Sequence, residues 1–190
     1  TLLSQVDAAI GGKTAVNLDC FKNMVGSFHE PLFTYINTLT LKTLPERELR
    51  SGYAEMLKTF MIKDKSGYES ALNAIVSGAE LDEFIKKAAE IKAEIVEKDP
   101  FEKGERKKLN LGHTFAHAIE WYEQVNNVSN PLSHGEAVAI GIVMAAEMES
   151  PELAAKIAED FKACGLPTVS AYSKEDLLFL QLLMLLLFLY

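Results

Sequence analysis

The residue types best suited to chemistry are three histidines, a glutamate and a scattered set of cations. His113 and His117 (HTFAH) lie four apart, so on a helix both rings leave one face, with Asn110 expected about one turn before and Glu120 about one turn after. His134 opens an apolar segment, where a polar ring needs a partner. Glu55 sits in SGYAEMLK among apolar neighbours, where a carboxylate calls for a cation; Lys58, one turn on, is the plain alternative to a metal ion. Two neutral imidazoles and one carboxylate are a common protein ligand set of a catalytic zinc, with positions left for substrate. The zincin pattern is excluded, because it requires Glu where Thr114 stands. Lys13 in IGGKTAVN follows two glycines that let backbone approach a ligand, but a P-loop would need Gly where Asp7 stands. Lys22 with Asn23, Lys58, Lys92 and Arg106 add cations, each read singly as an ordinary surface residue. No G-x-G-x-x-G occurs, so a dinucleotide site cannot be argued from this chain's own glycines.

The elements that must carry these residues are mostly helical. The spacing predicts a helix from Pro45 through Glu55 to about Lys63, with Glu46 and Glu48 near the positive end of its dipole, and a turn at Ser66 and Gly67. Leu81, Ile85, Ala88, Ile91 and Ile95 form one amphipathic stripe between Glu80 and Lys98, with Lys92 beside it. Helices are expected over Leu109 to Gln124, His134 to Met148 and Pro151 to Cys164. Ser133 and Glu136 supply a capping pair for the second, Gly165 and Pro167 end the third, and NNVSNP before Ser133 is a loop. Strand candidates are Leu2 to Val6, Thr14 to Asn17 and Phe33 to Asn37, and no internal repeat is present.

The 190 residues fit one large domain or a domain plus part of another. Hydrophobic residues at 48% and charged residues at 24% describe a folded protein. The 19 Lys+Arg against 27 Asp+Glu give −8, which disfavours nonspecific binding to nucleic acid or anionic membrane, so an anionic ligand must be met locally. Two cysteines, Cys20 and Cys164, make no disulfide framework, and with no secretory leader at the start the expected location is cytoplasmic. The chain opens at once on motif-like sequence and reads as a fragment, and residues 177–190 (LLFLQLLMLLLFLY) form an anomalous leucine-rich tail, shorter than the roughly 20 residues that span a bilayer.

The order QVDAAIGGKTAVN, FKNMVGSFHEP, TLPERELRSGYAEMLK, KGERKKLNLGHTFAHAIE, SHGEAVAIG closely resembles the 3-dehydroquinate synthase family, over roughly Thr1 to Leu166. The resemblance implies a mainly α fold: the multihelical metal-binding domain of a two-domain α/β enzyme, with most of the Rossmann-like N-terminal domain absent. It divides the chain into residues 1–40, a remnant of the NAD-binding domain and linker; 41–176, the helical metal- and substrate-binding domain; and the 177–190 tail. It implies NAD and zinc or cobalt as cofactors. Glu55, His113 and His134 correspond to metal ligands. Thr1, Lys13, Lys22 and the stretch Thr40, Leu41, Lys42, Thr43 correspond to NAD contacts, and Asp7, Asn23, Lys58, Lys92, Arg106, Asn110 and His117 to positions around the substrate. The implied reaction is conversion of 3-deoxy-D-arabino-heptulosonate 7-phosphate to 3-dehydroquinate and phosphate in the shikimate pathway, by a likeness that also implies a homodimer. The competing readings are a sister sugar-phosphate cyclase of the 2-deoxy-scyllo-inosose or valiolone type, a polyol dehydrogenase, and a non-catalytic helical module. Two departures stand out: a longer loop between His117 and His134, and the leucine-rich tail where the family has a lysine-containing segment closing over the substrate phosphate.

Overall fold

The structure is a computed structural model that describes residues 1–18 and 21–173; the side chains of 17–18 and 21–24 lie outside that description. The fold is mainly α, with one two-stranded sheet among the described residues. The chain divides into two compact units, Thr1–Asn110 and Leu111–Tyr190.

The first unit begins with a helical turn. Leu2 to Val6 is not the expected strand: Leu2 and Leu3 are helical and Ser4–Ala8 forms a π-helical turn. The reason is packing, since Leu2 and Val6 are four apart and both fully buried, and Leu2 fills the space that a side chain on Gly52 would need. The antiparallel strands β1 (Lys13–Leu18) and β2 (Phe21–Phe28) follow, with Val16 opposite Val25 and a register irregularity between Val16 and Leu18. The expected Thr14 to Asn17 strand is therefore present within β1, whereas β2 was not anticipated. The expected Phe33 to Asn37 strand is not formed: the segment pairs with no strand among the described residues, and Phe33 and Tyr35 are exposed.

Helix α1 (Glu46–Lys63) carries Glu46 and Glu48 in its first turn as expected, with Pro45 at the N-cap. The predicted turn at Ser66 and Gly67 is instead the first turn of α2 (Lys65–Ser77), capped by the Asp64 carboxylate accepting from Gly67 N at 2.9 Å. The amphipathic stripe forms α3 (Asp82–Lys98), burying Ile85, Ala88, Ile91 and Ile95. Helix α3 packs against α1 and the opening helical turn, and is followed by a 3₁₀ segment, Glu105–Asn110.

The second unit is built from α4 (His113–Val125), α5 (His134–Glu149) and α6 (Pro151–Ala163). Helix α4 starts four residues later than expected. Gly112, at φ +77°, adopts a left-handed conformation that stops helix on its N-terminal side, so Asn110 is not on the helix of His113. A Cβ on Gly112 would lie 2.6 Å from Ile142 Cγ1 and 2.7 Å from Ile142 N, so only glycine lets the start of α4 lie directly against α5. The capping pair is present: Ser133 Oγ accepts from Glu136 N and Glu136 accepts from Ser133 N at 2.7 Å, a box worth about 1 kcal/mol. Helix α5 is buried on most of its surface, and Pro151 starts α6 as expected. No helix among the described residues is long and apolar enough to cross a membrane.

Candidate active site

In the first unit, the cations and carboxylates picked out in the sequence gather on elements distant in the chain. Glu55 and Lys58 stand one turn apart on α1 and are 0% and 1% exposed, with Lys58 Nζ 2.6 Å from Glu55 Oε2. The ion pair read as the plain alternative for Glu55 is thus present. Lys92, on α3, donates to Asp7 Oδ1 at 2.6 Å and to the Asp7 backbone oxygen, tying α3 to the opening π-helical turn. Burial lowers the pKa of Lys92 below the usual lysine value; Asp7 opposes this and Lys58 adds to it. Lys13, at the start of β1, pairs with Glu102, and its pKa is also lowered by burial and by Arg106, Lys92 and Lys58 nearby, against the pull of Asp7. Four cations therefore act on one region in a chain of net acidic charge.

Arg106 is buried, and its guanidinium donates to Pro100 O at 2.6 Å and to Gly11 O at 2.7 Å. It anchors the glycine turn before Lys13 while keeping further N–H donors in its fork. Asn110, at the end of the 3₁₀ segment, donates to Glu102, so one carboxylate receives both Lys13 and Asn110. Sequence reasoning missed Glu102; its positive φ of 56° shows only in the structure. Thr1 Oγ1 lies 2.9 Å from Ser4 Oγ at the exposed start. Thr40, Leu41, Lys42 and Thr43 lie in a 3₁₀ segment, Thr38–Thr43. Gln5 holds this segment to the turn carrying Asp7 by donating to Asn37 O at 3.0 Å and Thr40 Oγ1 at 3.1 Å. Lys22 and Asn23 lie on β2, but their side chains, like Cys20 and the 177–190 tail, fall outside the described residues.

In the second unit, three imidazoles converge. The ring centres of His113 and His117 are 5.5 Å apart, those of His113 and His134 5.3 Å, and those of His117 and His134 6.4 Å. Helix spacing brings the first two together, and the packing of α4 on α5 at Gly112 brings in the third. His134 Nδ1 is 3.1 Å from Glu120 Oε1, and His113 Nδ1 is 3.2 Å from Leu111 O. A carbonyl and an ionised carboxylate only accept, so Nδ1 is the donor in each contact, and in the neutral ring this leaves the Nε2 lone pair to face a ligand. That is the state a metal-ligating histidine requires. This donor chemistry fits a divalent zinc-class ion at His113 and His134.

Residues 1–184 have counterparts among known proteins. Residues 52–184 match the family model described as 3-dehydroquinate synthase C-terminal, and residues 1–51 the one described as 3-dehydroquinate synthase N-terminal. The chain belongs to the 3-dehydroquinate synthase family. Curated 3-dehydroquinate synthases from Xylella fastidiosa (strain M12) and Bartonella bacilliformis are 46% and 43% identical, over 94% and 88% of this chain. The matches cover 52% and 47% of those proteins, so the chain spans about half the length of the curated relatives it matches. Among solved structures, 2-epi-5-epi-valiolone synthase from Streptomyces hygroscopicus subsp. jinggangensis 5008, with NAD+ and Zn2+ bound, aligns at a TM-score of 0.81 and 28% identity, covering 97% of this chain and 53% of its own. A 2-deoxy-scyllo-inosose synthase complexed with carbaglucose-6-phosphate, NAD+ and Co2+ aligns at 0.79 and 26% identity, covering 95% and 52%.

Proposed function

We propose that this chain is the metal- and substrate-binding part of a 3-dehydroquinate synthase, the enzyme converting 3-deoxy-D-arabino-heptulosonate 7-phosphate to 3-dehydroquinate and phosphate. The observation that carries the reading is the His113, His117, His134 cluster, with Nδ1 of two rings held by oxygen acceptors, in a chain matched along its length by this family. On this reading His113 and His134 hold zinc or cobalt with Glu55 as third ligand, and the ion supplies Lewis-acid polarisation of the substrate oxygens. Thr1, Lys13, Lys22 and residues 40–43 would hold NAD, which would supply reversible hydride acceptance; of the last stretch Thr40, Lys42 and Thr43 are exposed.

The chain's own residues perform the remaining tasks. The substrate carries a carboxylate and a phosphate, and Lys58, Lys92 and Arg106 supply positive charge in buried surroundings where it acts more strongly than in water. Asp7 holds the Lys92 ammonium in place, and Asn23 and Asn110 add neutral donors and acceptors around the substrate. His117, one turn along α4 from His113, is suited to move a proton at a substrate oxygen or carbon near neutral pH. The proposal keeps the domain reading of residues 1–40 as a remnant of the NAD-binding domain and linker, 41–176 as the helical metal- and substrate-binding domain, and 177–190 as an anomalous leucine-rich sequence. The same proposal places a homodimer in the cytoplasm.

A second reading, a sister cyclase, is favoured by the solved structures aligned at 0.81 and 0.79, while the higher identity, 46% against 28%, favours the first. The test is turnover by the full-length protein with NAD and zinc. The proposal expects phosphate and 3-dehydroquinate from the carboxylate-bearing heptulosonate phosphate. Turnover only of sugar phosphates lacking that carboxylate would overturn it in favour of the sister cyclase, and net NADH accumulation would indicate a dehydrogenase.

A further inference from the structure

We propose that Glu120 is a positioning residue that fixes which ring nitrogen of His134 is offered as a ligand; this rests on the reading of His134 as a metal ligand. Glu120 lies on α4, is 9% exposed, and places Oε1 3.1 Å from His134 Nδ1 on α5. An unrestrained neutral imidazole populates both tautomers, but a carboxylate facing Nδ1 selects the form with the proton there and leaves Nε2 as the donor atom. His113 reaches the same state by a different route, through the carbonyl of Leu111 in the turn that Gly112 ends. For His134 the acceptor comes from the neighbouring helix, as the Glu120 carboxylate on α4.

A second buried carboxylate supports this arrangement from one turn further along α4. Glu123, 4% exposed, accepts from Leu132 N at 2.8 Å and from Tyr172 Oη at 2.9 Å. It thereby holds the backbone two residues before His134, so Glu120 addresses the ring and Glu123 the chain that carries it. The two carboxylates have separable effects: loss of Glu120 changes the tautomer of His134, whereas loss of Glu123 loosens the loop and lowers stability.

The experiment uses full-length protein stripped of metal, with ¹⁵N NMR of the histidine rings and zinc affinity by chelator competition. The wild-type His134 ring is expected in the Nδ1–H form. Glu120→Ala should give a mixture of tautomers and zinc binding weaker by about 10- to 100-fold, and near-isosteric Glu120→Gln should weaken binding roughly tenfold with little change in fold. Glu123→Gln should lower the unfolding midpoint and leave the His134 tautomer as in wild type. Wild-type zinc affinity in both Glu120 variants, or an unchanged tautomer in Glu120→Ala, overturns the proposal. His134→Ala separates the two claims: if it leaves zinc affinity intact, the ligand reading fails, and if it abolishes binding while the Glu120 variants bind normally, only the positioning role fails.

Discussion

Replacing Lys58 by Met probes the buried charge on which the substrate-binding reading depends. Its ammonium is 1% exposed and 2.6 Å from a Glu55 carboxylate that is 0% exposed. At that distance Coulomb attraction is roughly 6 kcal/mol for an effective dielectric of about 20. Relief from desolvating the lysine offsets part of this, and removing one partner of a buried pair typically costs about 3–5 kcal/mol because the other charge stays in the interior. Met conserves the length and most of the packing of the side chain, so the loss reports charge rather than a cavity. The assay is denaturant unfolding with chelator present, for wild type, Lys58→Met, Glu55→Gln and the double variant. Each single variant should lose several kcal/mol, and the double should lose less than their sum by at least about 1 kcal/mol. Strictly additive losses, or a Lys58→Met variant within about 0.5 kcal/mol of wild type, would show that the pair is not the buried interaction described.

Gly11→Ala should destabilise the first unit by about 1–3 kcal/mol in the same unfolding assay, because φ there is +99° and a methyl group would meet Val96 Cγ2 at 2.9 Å and the Arg106 guanidinium. Burial pushes the Cys164 thiol up to about 11, so with Cys20 replaced by serine, alkylation at pH 8 should run roughly 100-fold slower in folded than in unfolded protein. Burial and the hydrogen bond to Glu123 push the Tyr172 phenol up to about 12, above its ordinary value of 10.0. This acid is favoured in its protonated form by folding, so the stability it contributes is full below pH 10 and is lost as pH rises from 10 towards 12. Tyr172→Phe should remove that alkaline loss when stability is followed against pH, and an unchanged profile would contradict the assignment.

The parts of the fold legible in the sequence are those set by local chemistry. Ser133 and Glu136 give the start of α5, the stripe from Leu81 to Ile95 gives α3, and Pro151 with Gly165 brackets α6. Where tertiary packing decides, the local pattern misleads. Leu2 to Val6 has the residue types of a strand, but burial of Leu2 against Gly52 makes it helical. Ser66 and Gly67 have turn chemistry, yet the Asp64 cap uses them to begin α2. Asn110 falls off the helix of His113 because Gly112 turns left-handed where α4 meets α5. At the site, the pairing of His113 with His117 is readable from spacing, whereas the approach of His134, the Glu120 contact and the shared Glu102 partner of Lys13 and Asn110 depend on contacts between elements.

The central claim, that Glu55, His113 and His134 hold a divalent ion and His117 does not, is tested most directly by the metal content of dialysed full-length protein. The account predicts about one zinc-class ion per chain in wild type and in His117→Ala, with marked loss in Glu55→Gln, His113→Ala and His134→Ala. Equal retention of metal by His134→Ala and His117→Ala would contradict it.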